Sequence, residues 1–162
     1  MQFLRGDIAG RSAPLRPPWA LAEALFTTRC TRCGDCIDAC PTGILGKGRG
    51  GFPQLDFSRG ECLFCDECSG ACTPGALRKA PGRAPWTLKV SLAAETCIAY
   101  HGVECRACAD PCESRAIRMR PRIGGVALPD IDLSTCNGCG ACYAPCPVQA
   151  LRIQPLRCEE TA

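Results

Sequence analysis

The stretch CTRCGDCIDACP, residues 30–41, places four cysteines within eleven residues, at Cys30, Cys33, Cys36 and Cys40. Sulfur that dense needs a purpose, and the chain repeats it. CLFCDECSGAC carries Cys62, Cys65, Cys68 and Cys72, and CNGCGACYAPCP carries Cys136, Cys139, Cys142 and Cys146. A further copy is stretched: in CIAYHGVECRACADPC, seven residues rather than two separate Cys97 from Cys105, ahead of Cys108 and Cys112. A fold built around these runs has to bring thiols together before it does anything else.

The flanks repeat as well. Four and five residues after each last cysteine stand Ile44-Leu45, Ala76-Leu77, Ala116-Ile117 and Ala150-Leu151. GGFPQLDF precedes the second run and GGVALPDIDL the fourth, each a Gly-Gly turn leading into a short alternating segment that reads as a strand. Internal repetition of this kind divides the chain into two similar halves. The expected organisation is a lead-in over 1–28, a first unit over 29–80, a linker over 81–95, a second unit over 96–154 and a tail over 155–162. RKAPGRAPW, basic and Pro-rich, supports the linker, and ALAEALF suggests a short helix in the lead-in. The middle and last cysteines of each run can open a short helix, as in DCIDAC, whose N–H groups would face an anionic centre.

Disulfides and metal compete as the use of the sulfur. With two Trp, two Tyr and five Phe in 162 residues, each unit buries a thin core and needs a staple. Disulfide frameworks belong to secreted chains. The opening MQFLRGDIAGRSAPLRPPW holds no apolar run of signal-peptide length, the cysteine count of 17 is odd, and no stretch is apolar enough to span a membrane. The expected setting is therefore the reducing cytoplasm, with metal as the staple.

Spacing selects the metal. Zinc takes two C-x-x-C knuckles from separate segments. Three thiolates at two-residue gaps suit three corners of an iron–sulfur cubane, and in two-cluster ferredoxins the fourth cysteine of a run ligates the other cluster. Exchange of fourth ligands explains why the runs come in pairs. It predicts one [4Fe–4S] cluster on Cys30, Cys33, Cys36 and Cys72, and a second on Cys62, Cys65, Cys68 and Cys40. In the second half it predicts one on Cys136, Cys139, Cys142 and Cys112, and one on Cys97, Cys105, Cys108 and Cys146. The three regular runs carry the signal. The stretched run joins them if its long gap closes as an external loop, giving four clusters. The expected fold is α+β: two tandem two-cluster ferredoxin-like units of the bacterial type, small and loop-rich. Pro41 and Pro147, directly after a last cysteine, turn the chain away from the centre.

The formal charge of +3 counts thiols as neutral. Four clusters at −2 each contribute about −8, so the loaded protein sits near about −5. A nucleic-acid partner loses its electrostatic basis. No Gly-rich phosphate loop, Ser/His/Asp set or carboxylate pair stands out, so no catalytic residue is expected and the chain reads as a non-enzyme. Asp35, Asp38, Asp66 and Glu67 lie among the ligand runs and read as tuning solubility and potential. His101, in the stretched loop, reads as solvated rather than ligating. Cys158 reads as a spare thiol. Arg115, Arg118, Arg120 and Arg122 alternate with apolar residues, as on a strand with one solvated face, and docking of an acidic partner is the alternative. Trp19 in RPPW is either an exposed anchor or part of an arm docked on the first unit.

RPPW, CTRCGDCIDAC, the GGFPQLDF bridge, the long-gapped CIAYHGVECRACADPC and the closing CNGCGACYAPCP together resemble the NapF family, ferredoxin-type accessory proteins of periplasmic nitrate reductase systems. The likeness runs over nearly the whole chain. It implies a cytoplasmic iron–sulfur protein acting on the precursor of the nitrate reductase catalytic subunit before export. The role would be to help that subunit acquire its [4Fe–4S] cluster or to supply electrons for its maturation. Read from the residues alone, the alternative is a diffusible low-potential electron-transfer ferredoxin, with an electron donor as its partner.

Overall fold

The computed structural model describes residues 14–155, and its regular elements are short. Thiols at gaps of two and three residues force the chain to curl, which leaves room for little else. The helices are α1 (Glu23–Arg29), α2 (Asp35–Asp38) and α3 (Glu67–Gly70). The strands are β1 (Leu45–Lys47), β2 (Pro53–Leu55), β3 (Leu88–Leu92), β4 (Ile117–Arg122), β5 (Gly125–Ile131) and β6 (Leu151–Pro155). They pair as three antiparallel ribbons, β1 with β2, β3 with β6 and β4 with β5. The two Gly-Gly turns stand where the sequence puts them, ahead of β2 and at the start of β5. The second hairpin is the longer, and its register shifts between Arg120 and Arg122, at Pro121. Proline cannot donate to a ladder and is tolerated at such an irregularity.

The linker expected over 81–95 is shorter than that. Leu88–Leu92 is a strand in register with β6, Val90 opposite Ile153 and Leu92 opposite Leu151. Its alternation, with Leu88 and Val90 buried and Lys89 and Ser91 less so, was readable in LKVSL but stood behind a Pro-rich run. The lead-in expected over 1–28 also contains part of the first unit. Ala20 forms an antiparallel bridge with Leu77, Leu21 N–H donates to Ala76 O (3.1 Å) and Arg78 N–H to Trp19 O (2.9 Å). In the second half, Ala93 N–H donates to Ala150 O (2.8 Å), at the matching place in the repeat. Each half is thus closed by a segment preceding its first cysteine, a full strand in one and a single bridge in the other. Because Ala20 and Leu21 pair with Leu77 and Ala76, the helix sought in ALAEALF starts only at Glu23.

Trp19 is 4% exposed, so of its two readings the docked arm holds. Arg16 holds that arm down: it pairs with Glu23 (2.6 Å) and lies over the rings of Phe26 (4.8 Å) and Phe52 (5.3 Å). The repeated flanks are the core. Ile44, Leu45, Ala76, Leu77, Ala116, Ile117, Ala150 and Leu151 are all buried. Phe26, Leu55, Phe57 and Leu88 join the first four, while Val90 joins Ala116, Ile117 and Leu151 in the second half. Buried Cys36 and Cys68 belong to the first cluster and Cys136 and Cys142 to the second, so sulfur substitutes for the aliphatic mass the chain lacks. Trp86, Tyr143 and Ile153 also pack on the first half's core, so the two halves touch.

Phe26 is fully buried. Phe26→Ala is expected to cost about 3–5 kcal/mol, as for other large-to-small core changes. Anaerobic denaturant titration of the loaded protein would read this as a lowered midpoint, and an unchanged midpoint would mean that the aromatic core contributes little beside the sulfur.

Candidate metal centres

The runs repeat in backbone conformation as well as in sequence. Arg32, Phe64 and Gly138 occupy the position before the second cysteine of the three regular runs, and all three are left-handed (φ 62°, 54° and 75°). Gly34, Asp66 and Gly140, just after that cysteine, are left-handed too (φ 100°, 68° and 89°). Two such residues on either side of the second cysteine curl the loop so that three sulfurs face one point. The stretched run uses another device: Ile98–His101 forms a 3-10 turn, ending at left-handed Gly102, between Cys97 and Cys105.

A further turn is common to all four runs. Three residues after each last cysteine stand Gly43, Gly75, Arg115 and Gln149, all with φ between 50° and 70°. The N–H of each donates to the carbonyl of that cysteine: Gly43 to Cys40 (3.1 Å), Gly75 to Cys72 (3.0 Å), Arg115 to Cys112 (2.9 Å) and Gln149 to Cys146 (3.3 Å). The turn delivers the buried flank and points its N–H groups at sulfur. Leu77 N–H donates to Cys72 Sγ (3.3 Å) and Ala150 N–H to Cys146 Sγ (3.3 Å). Thr42 Oγ1 lies 3.6 Å from Cys40 Sγ, and Ser114 Oγ lies 3.6 Å from Cys112 Sγ. This turn was missed in the sequence because glycine marks it only twice; Arg115 and Gln149 adopt a conformation their side chains do not advertise.

The cysteines collect around four cavities. Site 1 is lined by Cys30, Cys33, Cys36 and Cys72, and site 2 by Cys40, Cys62, Cys65 and Cys68. Site 3 is lined by Cys112, Cys136, Cys139 and Cys142, and site 4 by Cys97, Cys105, Cys108 and Cys146. Their volumes, open mouths included, are about 330, 360, 320 and 340 Å³. Each cavity therefore brings together three cysteines of one run and the last cysteine of the paired run. The stretched run behaves like the others.

The remaining lining is mostly apolar: Phe26, Ala76 and Leu77 at site 1, Ile44 and Leu55 at site 2, Val90 and Ile117 at site 3, Leu92 and Leu151 at site 4. Among the described residues, no three Cys, His, Asp or Glu side chains come close enough to hold a single metal ion. Four sulfurs spaced around a cavity, too far apart for one ion, fit a centre in which each thiolate takes a different iron.

Burial dominates the thiols. It pushes Cys36 and Cys108 up to about 11, and Cys68 and Cys142 up to about 12, with neighbouring thiols adding to the rise. Cys62 also rises to about 11 by burial, against the N–H bond that it accepts from Phe64 (3.4 Å). Cys40 goes the other way: burial raises it, but hydrogen bonds from the Thr42 side chain and from the backbone of Leu45, Ile44 and Thr42 outweigh burial and lower it. Metal has to displace these protons, because only the thiolate ligates.

The other candidates lie outside the cavities or at their edges. His101 is exposed and its Nε2 bonds to the carbonyl of Glu95 (2.9 Å). Arg118 donates to Arg115 O (3.2 Å) and Arg120 pairs with Asp130 (2.9 Å) on the solvated side of the second hairpin, with Arg122 at its end. Asp66 lines site 2 and pairs with Lys79, while one of its carboxylate oxygens is buried without a partner. Asp35, Asp38 and Glu67 belong to α2 and α3. Cys158 lies outside the described residues. No helix is long and apolar enough to cross a membrane among the described residues.

The 4Fe-4S dicluster domain matches the chain twice, over residues 29–76 and 101–159. The ferredoxin-type protein NapF of Haemophilus influenzae is 43% identical over 149 residues, covering 86% of this chain and 84% of its own length. NapF of Escherichia coli K12 is 44% identical over 140 residues, covering 84% of each chain. The ferredoxin-type protein NapG of Haemophilus influenzae is 34% identical, covering 83% of this chain and 55% of its own. With the sulfur-lined cavities, these matches make the resident groups [4Fe–4S] clusters.

Removing the Asp66 charge beside site 2 leaves Lys79 unopposed. Asp66→Asn is expected to move one cluster potential in the positive direction and leave the others in place. Redox titration followed by EPR reads this, and a uniform or absent shift would separate Asp66 from site 2.

Proposed function

This chain belongs to the NapF family of ferredoxin-type iron–sulfur proteins, and we propose that it serves the maturation of a partner rather than catalysing a reaction itself. The partner is the cytoplasmic precursor of the periplasmic nitrate reductase catalytic subunit, and the service is acquisition of that subunit's [4Fe–4S] cluster before export. The reading takes four clusters, each held by the four cysteines that line one site, with fourth ligands exchanged between paired runs.

One observation carries it: the four cavities use all the cysteines of the four runs, and each needs a cysteine from a second run. A set of sites with that much sulfur fits storage, transfer or relay of clusters and electrons. Exposure favours the first half as the working end. Cys33 at site 1 and Cys65 at site 2 are exposed, whereas every cysteine of sites 3 and 4 is buried or half-buried. Leu63, beside Cys62 and Cys65, is 59% exposed. The clusters supply one-electron chemistry when bound; the chain's part is to hold them by sulfur, shield them with the buried flanks and leave two thiolates reachable.

The ligand sets are tested by Cys40→Ala. Iron and sulfide are expected to fall by about one cluster in four, with loss of the site built on Cys62 and not of the site built on Cys30. Loss of the Cys30 site instead would refute the exchange. The maturation role is tested in cells lacking this chain: the catalytic subunit is expected to accumulate without its cluster, and anaerobic pull-down with the loaded protein should retain its precursor. A subunit fully metallated in those cells rejects the maturation role and leaves electron transfer as the reading.

A further inference from the structure

The two halves meet at their cluster-binding loops. Cys62, of site 2, donates its N–H to the carbonyl of Cys139, of site 3, at 2.8 Å. This bond joins the ligand loop of one half to that of the other without an intervening residue. The surroundings hold it in place. Trp86 donates its indole N–H to Asn137 O (2.9 Å), two residues before Cys139. Its ring stands edge-on to Phe57 (6.1 Å) and Phe64 (5.4 Å). Phe64 is the residue whose N–H bonds to Cys62 Sγ. Trp86 thus touches the loop of site 2 with its ring and the loop of site 3 with its N–H.

Two glycines make the approach possible. A Cβ on Gly138 would run into the carbonyl of Leu88 and the Trp86 indole, and one on Gly140 into the ring of Phe57. A side chain at Gly140 would therefore displace Phe57 of the first half, and one at Gly138 would displace Trp86 and the start of β3.

Contacts within the halves extend the series. Sites 1 and 2 are lined by the same two runs, and Cys36 and Cys68 pack in one core, which sets site 1 beside site 2. Sites 3 and 4 are likewise lined by one pair of runs, with Cys142 and Cys108 in one core. The Cys62–Cys139 hydrogen bond joins site 2 to site 3 across the boundary.

We propose that the Cys62–Cys139 contact, held by Trp86, makes the four sites one electronically coupled array in the order 1, 2, 3, 4, rather than two independent pairs. The inference rests on the ligand sets proposed above. The process it concerns is transfer of one electron from a reduced cluster to an oxidised neighbour, with no bond made or broken and no proton moved. Trp86 is a positioning residue here, acting through the two loops it touches.

The test uses the full-length protein, loaded with clusters and reduced anaerobically with dithionite, an inorganic one-electron donor. EPR of the unaltered protein, fully reduced, is expected to require spin coupling between the halves as well as within them. Trp86→Ala is expected to lose the inter-half coupling while iron and sulfide stay unchanged, and Trp86→Phe, which keeps a ring, to retain part of it. A spectrum of the unaltered protein that two non-communicating pairs describe in full overturns the proposal, whatever the variants do. So does full coupling in a fully loaded Trp86→Ala protein. Failure of the ligand reading looks different: iron and sulfide for fewer than four clusters, or a Cys40→Ala protein that loses none.

Discussion

Each cavity is closed by a cysteine from a second run, and the rest of the molecule follows from that requirement. Three sulfurs at two-residue gaps can be aimed at one point by a short curled loop. The fourth has to come from elsewhere, and here it comes from the end of the paired run: Cys72 for site 1, Cys40 for site 2, Cys112 for site 3 and Cys146 for site 4. Neither run of a pair can complete its site alone. Paired runs therefore do not need a large hydrophobic core to hold them together; among the described residues, the buried side chains are largely the flanking dipeptides and the cysteines themselves. Metal binding and folding become one process in such a chain.

The last cysteine of each run is where packing and ligation meet. A left-handed residue three places on reverses the chain and makes the next two side chains enter the core, and at Cys40, Cys72 and Cys146 a flank N–H also reaches the sulfur. At Cys40 these donors outweigh the cost of burial, so its thiol alone among those shifted is lowered. The flank is apolar for the core's sake and positioned for the sulfur's. That double duty is why it recurs in every repeat while the residue directly after the cysteine varies: Pro41 and Pro147 follow two of the runs, Thr73 and Glu113 the others. The turn comes from Gly43, Gly75, Arg115 and Gln149, so the absence of proline changes nothing downstream.

Much of this was legible before any coordinates. Spacing pointed to three cysteines of each run around one centre, and the exchange of fourth cysteines known in two-cluster ferredoxins supplied the sets that line the cavities; that these sets ligate clusters is the proposal. The flanks and the Gly-Gly turns were legible as repeats. What escaped depends on partners distant in the chain. LKVSL alternates as a strand should, but only the register with Leu151–Pro155 makes it one. Trp19 offers the same letters whether exposed or docked, and Arg16, Phe26 and Phe52 decide the matter. Gly138 and Gly140 look like ordinary members of a cysteine run; that Trp86 and Leu88 press on the first and Phe57 of the other half on the second depends on residues far away in the chain.

The four sites share one ligand set but not one electrostatic surrounding. Clusters with four thiolates bring about −2 each into cavities lined by carbon. Few charged side chains answer that charge: among the described residues, Arg32 is the one basic residue lining any of the four cavities, at site 1, and Asp66 the one acidic residue, at site 2. Compensation falls instead to backbone N–H groups aimed at sulfur and to hydroxyls such as those of Thr42 and Ser114. Dipoles of this kind are fixed by the fold and cannot rearrange, so each site's potential is set locally. Arg32 at site 1, the Asp66–Lys79 pair at site 2 and Lys89 on the Cys136 carbonyl beside site 3 give the sites different surroundings, so clusters held there would differ in energy. In the proposed array, such differences would decide which site holds an added electron.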